Sequence, residues 1–386
     1  MVGFMTSEIR VLDALLEQRS ATRPEIAVAT SLSKPAVSQA IRRLEQASLV
    51  RPAGVRPSAG RGRSAIAYEL QPETGCVAGV DLGGMNIRIL LVGLCGERLV
   101  GAVEATRPVG AAEVVDQAIA LVDRVKRENG FEQLPLLALG VSTPGAVSPS
   151  SHRVSLSYNL GQDDEFDLES LLRRRGVSLL ALDNNVNCAA QAELRHGGTG
   201  PAPTFAFLSA GAGIGMGVVC EGRLLRGRHG AAGEIAYMPL ATDPFAPEHR
   251  RRGALEDEAS AAGMLDAAAR RTGWPDGCPQ TVERLFDLAA SGVPAARAIV
   301  AREAKLLAMA ISSVCTVIDP DLVVLGGGVG SNPLLLTAVE ESVELLLPYP
   351  PEMRITTLGA EASVVGAAEL ALELAHGELR RRATAG

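Results

Sequence analysis

The chain has no Cys-x-x-Cys pair, no run of ~18 uninterrupted apolar residues, and no basic start leading into an apolar segment. The first absence leaves Cys76, Cys95, Cys188, Cys220, Cys278 and Cys315 as small hydrophobes of a reducing compartment. The second argues against a membrane span and the third against a secretory signal, so a cytoplasmic protein is expected. What is present is 386 residues, too long for one ordinary core and enough for two or three domains. Apolar residues make up 47% and charged residues 21%, as in soluble globular chains. The 41 glycines sit in short runs beside apolar segments, which points to tight strand-to-helix turns rather than a collagenous or flexible chain.

The net charge of −7 hides an asymmetry. Residues 1–72 carry ten Lys and Arg against six acids, a surplus of four, so the remainder holds −11. A basic head on an acidic body suggests that only the head meets a polyanion.

Within the head, Ile9, Leu12 and Leu16 recur at helical spacing and open a first helix. Thr22-Arg23-Pro24-Glu25 fits a capping box with proline in the first turn, starting a second helix with Ile26 and Ala29 as apolar positions. Ser33 caps a third helix, again with an early proline, Pro35. There Val37, Ile41 and Leu44 fall within about 60° of one another and form the buried stripe. Pro35, Ser38, Gln39, Arg42 and Gln46 take the opposite side, with Arg43 at its flank. A short face of Ser, Gln and Arg is what a major-groove reader needs, since Arg and Gln form bidentate contacts with guanine and adenine edges. The same face would also suit an ordinary solvated helix. The next segment of the chain tips the balance: strand-like ends flank a Gly/Pro-rich loop carrying Arg56, Arg61 and Arg63, which reads as the β-wing of a winged helix-turn-helix. Ser33, Lys34, Pro35, Ser38, Gln39, Arg42, Arg43, Arg61 and Arg63 are the candidate contacts to a double-stranded DNA operator.

The body holds four Gly-rich turns after apolar runs: Asp81-Leu-Gly83-Gly84, Ser142-Thr-Pro144-Gly145, Gly211-Ala212-Gly213 and Gly326-Gly327-Gly328. One such turn says little; the ordered set resembles the two-lobed α/β actin/hexokinase-like nucleotide fold. The resemblance sharpens in three segments. GVDLGGMNIRILLV, LSYNLG (ending at Asn159-Leu160-Gly161) and LLRGRHGAAGEIAYMPL (Leu224 to Leu240) are similar to the repressor–open reading frame–kinase (ROK) family. With the winged helix in front, the whole chain resembles the family's repressors of carbohydrate operons.

That resemblance implies a winged helix-turn-helix at 1–72, a first α/β lobe at 73–190 plus 365–386, and a second at 191–364. It also implies where kinase chemistry should sit. Family kinases place the base in an Asn-Asp-x-Asn segment; the match here is Asn184-Asn185-Val186-Asn187, so Asn185 replaces the base, and an amide cannot accept the proton. A rescue by Asp183 would need a different register. Met85 and Ala212 stand where hydroxyl-bearing residues would face phosphate. A non-enzyme is expected, with no catalytic residue and no cofactor.

By resemblance the sugar would be held by Asn159, Asn184, Asn185, Glu234, a histidine at the position of Tyr237, and Glu256. Asn184 and Glu234 could instead serve only to stabilise turns. The family's zinc run is matched by Pro247 to Glu256, where Pro247, His249 and Ala254 fill all three cysteine positions, so no metal is expected. Its arginines, Arg250 to Arg252, suit a solvated turn best. The expected protein is a sugar-responsive repressor acting as a homodimer or homotetramer, away from membranes. Its rivals are a working sugar kinase with an added head, and a constitutive DNA-binding protein with a relic cleft.

Overall fold

Three short helices and a hairpin build the head in the computed structural model, which describes residues 6–56, 64–107, 110–156, 165–200, 204–241, 243–275 and 277–384. Helix α1 (Ser7–Gln18) buries Val11, Leu12, Leu15 and Leu16, and strand β1 (Ser20–Thr22) follows. Helix α2 (Arg23–Thr30) starts where expected, because the Glu25 carboxylate accepts hydrogen bonds from the Thr22 N–H (2.7 Å) and hydroxyl (2.8 Å). Ile26 is its buried anchor, whereas Ala29 is exposed, contrary to the apolar pattern: an eight-residue helix covers only a narrow stripe of the core. Helix α3 (Lys34–Gln46) buries Val37, Ala40, Ile41 and Leu44. Strands β2 (Val50–Arg56) and β3 (Ala65–Leu70) pair antiparallel as the wing, with β1 on the other edge of β3.

The body repeats one sheet topology twice. The first sheet uses β4 (Cys76–Leu82), β5 (Asn86–Gly93), β6 (Arg98–Ala105), β7 (Leu136–Thr143) and a later strand. Helix α4 (Ala111–Glu128) crosses over it, and small strands β8 (Ala146–Val147), β9 (Val154–Ser155) and β10 (Glu165–Phe166) and helix α5 (Leu168–Arg173) follow. Strand β11 (Leu180–Asn184) completes the order β11-β7-β4-β5-β6, parallel on one side of β4 and antiparallel on the other. Helix α6 (Asn185–His196) then leads to the second sheet, with β12 (Phe205–Ala210), β13 (Ile214–Cys220) and β14 (Arg223–Leu224). Helices α7 (His249–Arg252), α8 (Ala254–Ala259), α9 (Ala261–Ala269), α10 (Val282–Ala290) and the long α11 (Pro294–Ile318) intervene before β15 (Leu322–Gly326). After α12 (Gly327–Gly330) and α13 (Pro333–Glu344), β16 (Glu352–Ile355) closes the order β14-β13-β12-β15-β16, with the same pattern of directions. The expected two-lobed architecture is thus present, each lobe built around a Gly-rich hairpin turn. Among the described residues, no helix is long and apolar enough to cross a membrane.

The last helix, α14 (Ala362–Thr384), returns to the first sheet. It seats backbone against backbone: a Cβ at Gly79 of β4 would lie 2.6 Å from the Ala368 nitrogen, and one at Gly140 of β7 would overlap the Ala367 carbonyl. Gly366 of α14 makes the same close approach to the Cys188 carbonyl of α6. Farther along, Leu372, Ala375, Leu379 and Ala383 join one buried apolar cluster with Leu12, Leu15 and Leu44 of the head and Leu90 and Val92 of β5. Arg380 also donates to Asp13 of α1 at 2.9 Å. Head and first lobe therefore share a core.

Gly140→Ala tests this seating. Replacing glycine gains roughly 0.4–1 kcal/mol by restricting the unfolded chain. Overpacking against a carbonyl that cannot swing aside costs about 1–3 kcal/mol, so the net effect is a lower thermal midpoint. An unchanged or raised midpoint would show that α14 does not approach the sheet this closely.

Candidate functional site

The exposed side of α3 carries most of the residues expected to contact DNA. Ser33 accepts from the Ala36 N–H at 3.4 Å and starts the helix; Lys34, Pro35, Gln39 and Arg42 are exposed and Ser38 is half-buried, opposite the buried stripe. Arg43 is exposed as well, and its guanidinium pairs with Glu8 at 2.7 Å, which ties α3 to α1. In the wing, Arg51 pairs with Glu69 at 2.8 Å, and Arg56 reaches the Ser20 carbonyl at 3.4 Å. Arg61 and Arg63 lie outside the described residues.

The second site is a cleft of about 680 Å³. Its walls are the β4–β5 turn, the β12–β13 turn, the Gly327-Gly328 segment, the first turns of α6 and α14, and Gly233-Glu234 with Glu256. These are the Gly-rich segments that the sequence set in order. Asp81, at the end of β4, is buried and accepts from the Ser142 hydroxyl at 2.7 Å; burial pushes its carboxyl up, against the pull of Ser142 and of Arg88, 3.9 Å away.

The Asp183–Asn187 segment sorts cleanly by direction. Asp183 is buried and held by Arg226 (2.8 Å) and the Asn187 amide (2.9 Å), and it is not among the residues lining the cleft. Asn184 lines the cleft but is occupied by structure: its oxygen caps α6 at Val186 N–H (2.8 Å) and Asn187 N–H (3.3 Å), and its amide donates to the Gly145 carbonyl at 2.7 Å. That is the turn-stabilising role left open for it. Asn185 lines the cleft at the first position of α6, and its carbonyl accepts from the Ser363 hydroxyl of α14 at 3.0 Å.

Glu234 and Glu256 also line the cleft. Glu256 accepts from the Ile214 N–H (3.0 Å) and from Arg252 (3.2 Å), while burial raises its carboxyl. Burial, with the nearby charge of Glu256 second, pushes Glu234 up to about 7. No side-chain hydrogen bond engages Glu234 among the described residues. Arg252, with its side chain 40% exposed, is also part of the cleft wall.

Tyr237 is not among the lining residues, and its hydroxyl donates to the Arg251 carbonyl at 3.0 Å. The same loop is braced by His249 against Asp257 at 2.7 Å, and by Gly253 at φ +95°, where a Cβ would overlap the Ala236 carbonyl. Among the described residues no group of three or more His, Cys, Asp or Glu could hold a metal. Asn159 lies outside the described residues. Arg88 and Ser363 were missed from the sequence. Ser363 arrives at Asn185 from nearly 180 positions away, and nothing local marks it.

A family model described as the ROK family matches residues 77–374, and one described as the MarR family matches residues 3–64. The xylose repressor of Caldicellulosiruptor bescii is 23% identical, over 83% of this chain and 82% of its own length. The glucokinase of Halalkalibacterium halodurans is 27% identical, over 75% of this chain and 92% of its own. A solved ROK family transcriptional regulator, described as a homologue of the E. coli MLC protein, superposes with a TM-score of 0.76 at 21% identity, covering 98% of this chain and 99% of its own. A ROK family glucokinase from Streptomyces griseus, solved with glucose and AMPPNP, gives 0.65 at 25% identity, covering 78% and 100%.

Glu234 gives the cleft a pH signature. Its carboxyl is raised from 4.5 to about 7, so between those values the folded chain binds more protons than the unfolded one. The stability linked to this group is fully present below about pH 4.5 and lost as pH rises through about 7. The midpoint difference between Glu234→Gln and wild type should therefore become more positive from pH 5 to pH 8. A pH-independent difference would contradict the burial of Glu234.

Proposed function

The chain belongs to the ROK family, and from that membership we propose that it is a sequence-specific DNA-binding regulator of carbohydrate genes whose kinase-like body senses a sugar or sugar derivative without phosphorylating it. The observation that carries this reading is the shared core. One helix, α14, lines the cleft with Ala362 and Ser363 and packs against the head with Leu379 and Ala383. A ligand that changes how the lobes meet at Asn185 and Ser363 then acts on the element that holds the head. The match of residues 3–64 to the MarR family and the relatives named xylose repressors support the DNA-binding half.

In this reading Gln39 and Arg42 meet base edges. Ser33, Lys34, Pro35 and Ser38 lie along the backbone, and Arg61 and Arg63 extend the contact from the wing. Asn185, Glu234 and Glu256, with Arg252 beside them and Asn159 from its own segment, hold sugar hydroxyls. Two such heads on a homodimer or homotetramer would meet paired half-sites.

A kinase reading has one observation in its favour: a carboxyl near neutral pKa faces the cleft at Glu234, as a general base would. Against it stand the amide at Asn185 and the missing hydroxyls at Met85 and Ala212. An ATP-coupled assay with glucose, xylose and N-acetylglucosamine separates the two. No turnover is expected, and sugar-dependent ADP release that vanishes in Asp81→Asn would establish the kinase.

The DNA half is tested on the full chain, because the head shares its core with the body. Binding should weaken steeply with salt, and Arg42→Ala should cost about 1–3 kcal/mol at a selected site if it reads a base. Equal loss on selected and random DNA would make Arg42 a phosphate contact. No binding at low salt would remove the regulator.

A further inference from the structure

The cleft is graded in chemistry from floor to mouth. Its polar side chains, among them Asp81, Arg88, Asn185, Glu234, Arg252 and Glu256, are all buried or half-buried. The lining residues that are exposed are Gly84, Met85, Ala212, Gly328, Gly359 and Ala360, and none of them has a polar side chain. Met85 is the extreme case: 73% exposed, on the turn between β4 and β5. A large apolar side chain left open inside a concave site gains most from a ligand that desolvates it. The volume of about 680 Å³ is also that of a site for a drug-sized molecule, more than a single pyranose ring fills.

We infer that the effector is a sugar carrying an apolar substituent, an aryl or alkyl glycoside, with the sugar on the polar floor and the substituent against Met85, Ala212 and Ala360 at the mouth. This rests on the sugar reading of the floor. A thioether is a good partner for an aromatic edge or face, so an aryl group fits better than a short alkyl one. A sugar phosphate would use the same glycine turns through their amides but would leave Met85 exposed, and it meets no hydroxyl at positions 85 or 212.

The experiment uses the full chain and calorimetry with glucose, xylose and N-acetylglucosamine. Each is supplied as the free sugar, as methyl and phenyl glycosides of both anomers, and, for glucose and N-acetylglucosamine, as the 6-phosphate. For the sugar that binds, the phenyl glycoside should bind about 5- to 30-fold more tightly than the methyl glycoside, the scale of one aromatic contact to sulfur plus the apolar area it covers. Met85→Ser, a change on an exposed turn, should bring that ratio below about 3-fold. Equal or weaker binding of the phenyl glycoside while the free sugar binds overturns the inference and spares the sugar reading. So does a preference for the phosphate ester, or a ratio that survives Met85→Ser. Absence of binding by every probe overturns both.

Discussion

The seating of α14 on three glycines is the contact on which the rest depends. Gly79, Gly140 and Gly366 let a helix backbone lie directly on two strands and on α6. Any side chain there would lift the helix, and backbone atoms cannot give way as side-chain tips do. So placed, α14 runs 23 residues, about 34 Å at 1.5 Å per residue, from the cleft to the head. Its first turn supplies Ser363 to Asn185, and its last turns complete the apolar core of the winged helix. The length of one rigid rod sets the distance between the two candidate sites.

The cleft around its first turn gathers the Gly-rich turns of both sheets. Asp183 is buried in an ion pair with Arg226, while Asn185 lines the cleft. The loop that carries Glu256 is held by short-range bonds: Tyr237 to the Arg251 carbonyl, His249 to Asp257, and Arg252 to Glu256. Each contributes about 1 kcal/mol or less where water reaches it. Together they fix the Glu256 carboxylate beside Glu234, whose carboxyl is raised by burial and by that neighbouring charge. The hydroxyl-rich ligand proposed above would supply donors at that point and offset the cost of burying two acids close together.

What was legible in the sequence was local. Thr22 with Glu25 and Ser33 with Pro35 announce helix starts because a cap is decided within four residues. The Gly-rich turns announce hairpins and strand ends for the same reason, and their order gave the two lobes. What was not legible came from partners far apart in sequence. Arg43 sits beside a DNA-reading face by helical geometry, yet Glu8, 35 positions earlier, engages it. Tyr237 matched a site position in the family pattern, which says nothing of its bond to the Arg251 carbonyl. Arg252 reads as one of three solvated arginines, and the fold of the loop also places it on the cleft wall. The docking of α14 on the head, more than 360 residues from Asp13 to Arg380, has no signature in either segment alone.

If cleft and head share one rod, their binding equilibria are linked, and linkage is reciprocal. The direct measurement takes the sugar or glycoside that most raises the thermal midpoint and the DNA that the full chain selects from a random pool. Affinity for DNA is measured with and without the sugar, and affinity for the sugar with and without the DNA. Coupling through α14 requires both to shift by the same factor, on the order of 5-fold or more. A ligand that binds the cleft and leaves DNA affinity untouched, with the DNA in turn leaving sugar affinity untouched, would contradict it.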